Sequence, residues 1–277
     1  MKPWTAMKLW TLDDIPWRRF DRSRVDPDLV KLVKAASMVE HNAPDYAAYL
    51  CNVFHQDPEF QKLAWAWAEE EVQHGRALAR WAGLADPDFD FEARFKRYTD
   101  GFRVPIDVSE SVRGSLTGEL LARCVVETGT SSHYTAIRRA CDEPVLHELC
   151  RRIAADELRH YKTFYELSRR YLATEGIGLG NRIRVVAGRV MEAQDEELAY
   201  AYYAANGGQE PFNHKRSNQA YVRRAYPIYQ PYLVERIVAM LFKIVGLKPH
   251  GRLNRFLSRL AHRFMQGRVR RLAATGA

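Results

Sequence analysis

Glu71-Val72-Gln73-His74 and Glu157-Leu158-Arg159-His160 are the only two Glu-x-x-His stretches in the chain of 277 residues. Each follows a lone glutamate about thirty residues upstream: Glu40 before the first, Glu127 before the second. On an α-helix, positions i and i+3 share a face, so each stretch points a carboxylate and an imidazole the same way. A gap of about 30 residues suits two antiparallel helices of roughly 25 residues joined by a short turn. Two lone glutamates and two such pairs, one group per helix, make the ligand set of a carboxylate-bridged di-iron centre inside a four-helix bundle. A single Glu-x-x-His is usually a solvated surface pair; the ordered repeat carries the information.

The flanking residues agree. The first stretch follows Leu63-Ala64-Trp65-Ala66-Trp67-Ala68-Glu69-Glu70, and the second follows Leu149-Cys150-Arg151-Arg152-Ile153-Ala154-Ala155-Asp156. Glutamates among Ala, Ile and Trp are expensive core residues unless paired or metal-bound. Three successive glutamates cover about 200° of helix, so one of Glu69, Glu70 and Glu71 must face inward.

Start and stop signals divide the chain. Asp26-Pro27-Asp28 starts a helix expected to run to about Phe54, and Asp57-Pro58-Glu59 starts one ending near Gly83. A crossover with a short helix from Phe91 to Tyr98 follows. The third bundle helix is expected from about Ser115 to Cys141, and the fourth from Glu143-Pro144 to just before Gly176. Gly176 to Gly180 reads as a turn, a further helix spans about Asn181 to Ala205, and Asn206 to Pro211 reads as a loop. The remainder is helical, and no segment alternates as a strand would. The expectation is an all-α, ferritin-like four-helix bundle with a di-iron centre. Residues 1–26 form an irregular segment packed on it, 27–175 form the bundle, and 176–277 add helices to the same domain.

The formal net charge is +8 and the pI about 9.3, which suggests an acidic partner. Much of the excess lies near the end. Arg252, Arg255, Arg259 and Arg263 recur at helical spacing, with Leu253, Phe256, Leu257, Leu260 and Phe264 beside them. This is a basic amphipathic helix, expected to pack its apolar side on the bundle and to show its arginines to solvent, an acidic protein or a membrane surface. No nucleic-acid motif accompanies the charge. Cys51, Cys124, Cys141 and Cys150 show no Cys-x-x-Cys spacing, which fits core residues in a reducing cytoplasm and excludes a built-in rubredoxin-type centre. Met1-Lys2-Pro3-Trp4 lacks the apolar run of a signal peptide, and Ile237 to Leu247 is short and carries Lys243, so no membrane span is expected.

At these residues the chain resembles the soluble acyl-acyl-carrier-protein desaturases. Glu40-His41-Asn42-Ala43-Pro44-Asp45-Tyr46 is similar to that family's Glu-x-x-x-Pro-x-Tyr. Trp67 to Gly75 looks like its Trp-x-x-Glu-Glu-x-x-His-Gly, and Glu127-Thr128-Gly129-Thr130 keeps its Glu-x-x-Thr. Ile153 to His160 is close to its Ile-Ala-Ala-Asp-Glu-x-Arg-His and matches at residues that are not ligands. The resemblance covers about 25 to 175. It implies a homodimer, a ferredoxin-type electron donor, an acyl-carrier protein as substrate carrier, a bent apolar channel, and Thr130 facing the oxygen side of the irons.

The expected ligands are Glu40, Glu71, His74, Glu127, Glu157 and His160, holding two iron ions, with manganese the alternative. Thr130 is the candidate catalytic residue; its structural alternative is a helix threonine bonded to its own backbone. Glu70 and Asp156 each precede a ligand glutamate and can accept the second ring N–H of the histidine from the other half. Trp67, one turn before Glu71, is a candidate electron carrier or simply core. His133 can stand behind the ligands, and His41 should point away. His55, His147, His214, His250 and His262 read as surface or helix-end residues. Three functions compete: carrier-bound acyl desaturation, hydroxylation or N-oxygenation of another substrate, and iron storage or peroxide removal.

Overall fold

The computed structural model describes residues 9–192, 196–208 and 210–274. The elements are α1 (Pro27–His41), α2 (Ala43–Val53), α3 (Pro58–Ala85), α4 (Phe91–Gly101), α5 (Leu116–Ala140) and α6 (Pro144–Glu175). After them come α7 (Leu179–Glu192), α8 (Glu196–Asn206), α9 (His214–Ala225), α10 (Pro231–Val245) and α11 (Arg252–Ala274). Among the described residues there is no strand, and the protein is an all-α helical bundle. Before α1 the chain makes three short 3-10 turns; residues 1–8 lie outside the described residues.

Acid–proline pairs set the helix starts. Proline in the first turn has no N–H to leave unpaired, and the acid before it accepts the free amides. Asp26 accepts from Asp28 and Leu29, Asp57 from Phe60, and Glu143 from Val145 and Leu146. Glu143 is fully buried and also accepts from Trp81 Nε1 at 2.7 Å and from the Asp21 amide at 3.2 Å. One carboxylate thereby ties α6, α3 and the leading segment together.

The long helices pair as α1 with α3 and α5 with α6, and α3 meets α6 across the middle. The buried apolar residues form two clusters. One holds Leu32, Met38, Leu78, Trp81, Tyr134 and Ile153. The other holds Leu50, Phe60, Trp67, Leu121 and Phe164. Along α3, α5 and α6 the residues of one cluster give way to those of the other around 71–74, 127 and 157–160. The bundle is therefore apolar at both ends with a charged layer between. Helices α7 and α10 pack on α5, α8 on α1 and α4, and α11 on α10 and α9. Among the described residues, no helix is long and apolar enough to cross a membrane.

Three expectations need correction. The helix expected from 27 to 54 is two, α1 and α2, broken at Asn42. Pro44 is the cause: it lacks an N–H, and its ring would strike the Glu40 carbonyl in a continuous helix. The helix expected from Asn181 begins at Leu179, so Gly180 is helical, and the turn rests on Gly176, at φ 63°. Its two described parts have different neighbours, and residues 193–195 between them lie outside the described residues.

The third correction is the tail. Leu253, Phe256, Leu260 and Phe264 are 56, 63, 55 and 51% exposed, while Asn254 and Ser258 are buried. The buried side carries Asn254, Ser258 and, near the helix end, Leu272, and the two polar side chains are satisfied within the helix and its approach. Asn254 Nδ2 donates to the Pro249 carbonyl at 2.8 Å, and Ser258 Oγ donates to the Asn254 carbonyl at 2.8 Å.

Candidate metal centre

Glu40 lies in the last turn of α1; Glu71 and His74 are mid-α3, Glu127 mid-α5, and Glu157 and His160 mid-α6. All six are buried, none more than 8% exposed. They fall into two groups whose donor atoms lie within 4.8 Å of one another: Glu40, Glu71, His74 and Glu157, and Glu71, Glu127, Glu157 and His160. Either group can hold a metal ion, and they share Glu71 and Glu157. His74 Nδ1 is 2.9 Å from Glu71, 3.1 Å from Glu157 and 3.9 Å from Glu40. His160 Nδ1 is 2.9 Å from Glu71 and 3.7 Å from Glu127.

The far ring nitrogens face outward to carboxylates from the other half. His74 Nε2 lies 3.2 Å from Asp156, and His160 Nε2 lies 3.3 Å from Glu70. A proton on each Nε2 leaves the Nδ1 lone pair turned inward. Arg159 links the two carboxylates, at 2.5 Å to Glu70 and 2.6 Å to Asp156. Thr130 Oγ1 donates to Glu157 at 2.6 Å and also reaches the Val126 and Glu127 carbonyls at 3.3 Å. Thr130 thus makes the backbone bond expected of a helix threonine and also bonds a candidate ligand. Trp67 is buried, set edge-on to Phe164, and its Nε1 makes no hydrogen bond.

Electrostatics show what the layer lacks. Burial, with Glu71 and Glu157 alongside, pushes the Glu40 carboxyl well above the usual range. Burial and Glu71 likewise push Glu157 up to about 8. Glu71 is itself opposed by burial, yet His160 and His74 hold it well below the usual range. Both imidazoles are raised despite burial, His74 chiefly by Asp156 and Glu157, His160 chiefly by Glu71 and Glu127. Neither Glu127 oxygen accepts a hydrogen bond although the residue is 1% exposed. A buried carboxylate without a donor is costly unless an ion meets it. Four carboxylates with two imidazoles suit iron or manganese.

A cavity of about 740 Å³ opens beside this layer, touching Glu40, Glu71, Glu127, Thr130 and Glu157. Its walls include Val39, Phe102, Val104 and Val126, and its polar part includes Arg123 and Arg189. Arg123 is 9% exposed and rests on the Trp67 ring at 4.8 Å and the Tyr46 ring at 5.4 Å. Its Nε has no hydrogen-bond partner. Burial, then Arg123 itself, lowers the pKa of Arg189, and Glu197 is the carboxylate that offsets this.

Sequence reasoning missed several of these groups. Trp10 stacks on His74 at 5.9 Å between centroids and donates its Nε1 to Asp156 at 2.6 Å. Tyr134 donates to Glu40. Tyr134 sits two turns after Glu127 on the same helix face, a spacing that could have flagged it. Trp10 had no such signal, because it reaches the site from a segment without regular spacing.

A model of the family described as fatty acid desaturase matches residues 16–194, about two-thirds of the chain. The chain belongs to that family. In this fatty acid desaturase family member the matched span contains all six candidate ligands and Thr130, and α8 to α11 lie beyond it. Comparison with curated proteins finds no match.

Proposed function

We propose that the protein is a di-iron, O2-dependent oxidoreductase of the soluble, ferritin-like type that desaturates acyl chains carried on acyl-carrier protein. A ferredoxin-type donor supplies its electrons. The observation that supports this best is the pair of buried ligand groups sharing Glu71 and Glu157, open on one side to a cavity. Glu40 and His74 would hold one ion and Glu127 and His160 the other, with Glu71 and Glu157 between them. Bound iron supplies oxygen activation and the removal of hydrogen from an unactivated carbon. The chain's own residues do the rest. Asp156 and Glu70 orient the imidazoles, Tyr134 holds Glu40, and Thr130 keeps a hydroxyl proton at the cavity floor. The apolar ends of the bundle keep water from the layer.

The test is product analysis with acyl-acyl-carrier proteins of several chain lengths, ferredoxin, ferredoxin reductase, NADPH and O2. A product lighter by two hydrogens supports the reading. Oxygen consumption with no altered acyl chain at any length would overturn it.

One observation favours a second reading. The cavity is lined by Arg113, Arg123 and Arg189 as well as Glu119, Glu192 and Glu197, and the buried Arg123, whose Nε has no hydrogen-bond partner, would receive the anionic group of a compact polar substrate. That substrate would be hydroxylated or N-oxygenated, and the product would be heavier by one oxygen atom.

A further inference from the structure

We propose that α11 binds the surface of an anionic lipid bilayer. Leu253, Phe256, Leu260 and Phe264 would enter the interface, and Arg252, Arg255, Arg259 and Arg263 would meet the headgroups. At 100° per residue the four apolar side chains fall in an arc of about 80°, and the four arginines occupy the adjoining arc of about 80°. Asn254 and Ser258 lie on the side turned to the bundle, so the two stripes share the outward side. The apolar stripe covers about 16 Å along the axis at a rise of 1.5 Å per residue. Four bulky apolar residues, each more than half exposed in one line, are not ordinary scattered surface residues.

Charge selects the occupant. From Lys243 to Ala277 the chain holds nine Lys and Arg residues and no Asp or Glu. A second copy meeting this face across a twofold axis would bring arginines toward arginines with no acid on α11 to neutralise them. An anionic bilayer answers both stripes at once. Its acyl boundary accepts Leu and Phe, and its phosphates and acidic headgroups accept guanidinium. Since no helix among the described residues can cross a membrane, the contact is a surface one.

The test uses the full chain and two kinds of vesicle: phosphatidylglycerol mixed with phosphatidylcholine in equal parts, and phosphatidylcholine alone. Co-sedimentation should be stronger with the mixed vesicles by about tenfold or more and should weaken as salt rises. Phe256→Ser with Leu260→Ser should abolish binding at every salt concentration. Arg255→Glu with Arg259→Glu should abolish it at low salt. All four positions are exposed, so helicity and metal content should be unchanged in both variants. Wild-type protein that stays in the supernatant with both vesicles would overturn the proposal. So would undiminished vesicle binding by the serine variant. Binding to acyl-carrier protein that the arginine variant loses, with no vesicle binding by the wild type, would assign the face to an acidic protein instead. A dimer dissolved by the serine variant, again without vesicle binding, would assign it to a second copy.

Discussion

Glu127 brings two carboxylate oxygens into the core and receives no hydrogen bond there, while Glu71 faces both imidazoles. Deleting a donor from such a layer leaves no substitute, because the residues next in sequence point elsewhere on the helix. Glu71→Ala or His160→Ala should therefore lose stoichiometric loading of two irons, read by metal analysis on folded protein. Thr130→Val should load normally yet release less product per oxygen consumed, because the proton held at the cavity floor is gone. Trp10→Phe keeps the stack on His74 but removes the donor to Asp156; metal affinity should fall by about tenfold, measured by competition with a chelator. The six candidate ligands and their carboxylate neighbours could be named from the sequence because Glu71 with His74 and Glu157 with His160 recur at i, i+3 spacing, each about 30 residues after a lone glutamate. Trp10, Arg123 and Arg189 could not, because their roles arise only when segments distant in sequence meet; Tyr134 shared the helix face of Glu127, but its bond to Glu40 joins distant segments.

Helix contacts are set as much by what is absent as by what is present. A Cβ on Gly75 would lie 2.7 Å from the His41 amide nitrogen and 2.8 Å from its Cβ. Glycine lets α3 approach α1 just where Glu40 and His74 must face each other. Gly75→Ala should cost about 2 kcal/mol through overpacking and weaken metal binding too, read from the denaturation midpoint and from metal content. The helix starts were legible in the acid–proline pairs. The break at Asn42 was hidden because Pro44 follows so closely on a ligand that the pattern reads through it. For α11, periodicity revealed two faces but not which one docks; that depends on Asn254 and Ser258 satisfying each other against α10.

Over the whole molecule, the charged layer separates two apolar cores, and in the absence of metal it crowds four carboxylates together. A cation that binds the folded state and not the unfolded chain stabilises by mass action. Loading with Fe(II) under anaerobic conditions, or with Mn(II), should raise Tm. The gain should vanish in Glu71→Ala. The histidine behind the layer gives a separate handle on stability. His133 packs beside Tyr134 and Tyr221, with the Tyr229 hydroxyl at 3.5 Å, and burial lowers its pKa to about 4. Between about pH 6.5 and 4 the unfolded chain takes up a proton that the folded state refuses. Stability attributable to this residue is thus full above that window and falls as pH drops through it. The loss is at most about 3 kcal/mol, and smaller to the extent that the residue retains some exposure. His133→Phe should flatten this part of the profile, measured as the difference from wild type across the window.

The pairing of α1 with α3 and of α5 with α6 bears on the order of events during folding. Glu40 and Glu71 belong to one helical hairpin, whose arms α1 and α3 are joined through α2, and Glu127 and Glu157 to the other, closed by residues 141–143. The two shared carboxylates, Glu71 and Glu157, meet only when the hairpins dock. Local contacts form before distant ones, so neither donor group is complete until late. Metal should then leave the refolding rate almost untouched and slow unfolding, because its bonds are made after the rate-limiting step. In a chevron measured with and without Mn(II), the refolding limbs should superimpose and the unfolding limbs should separate.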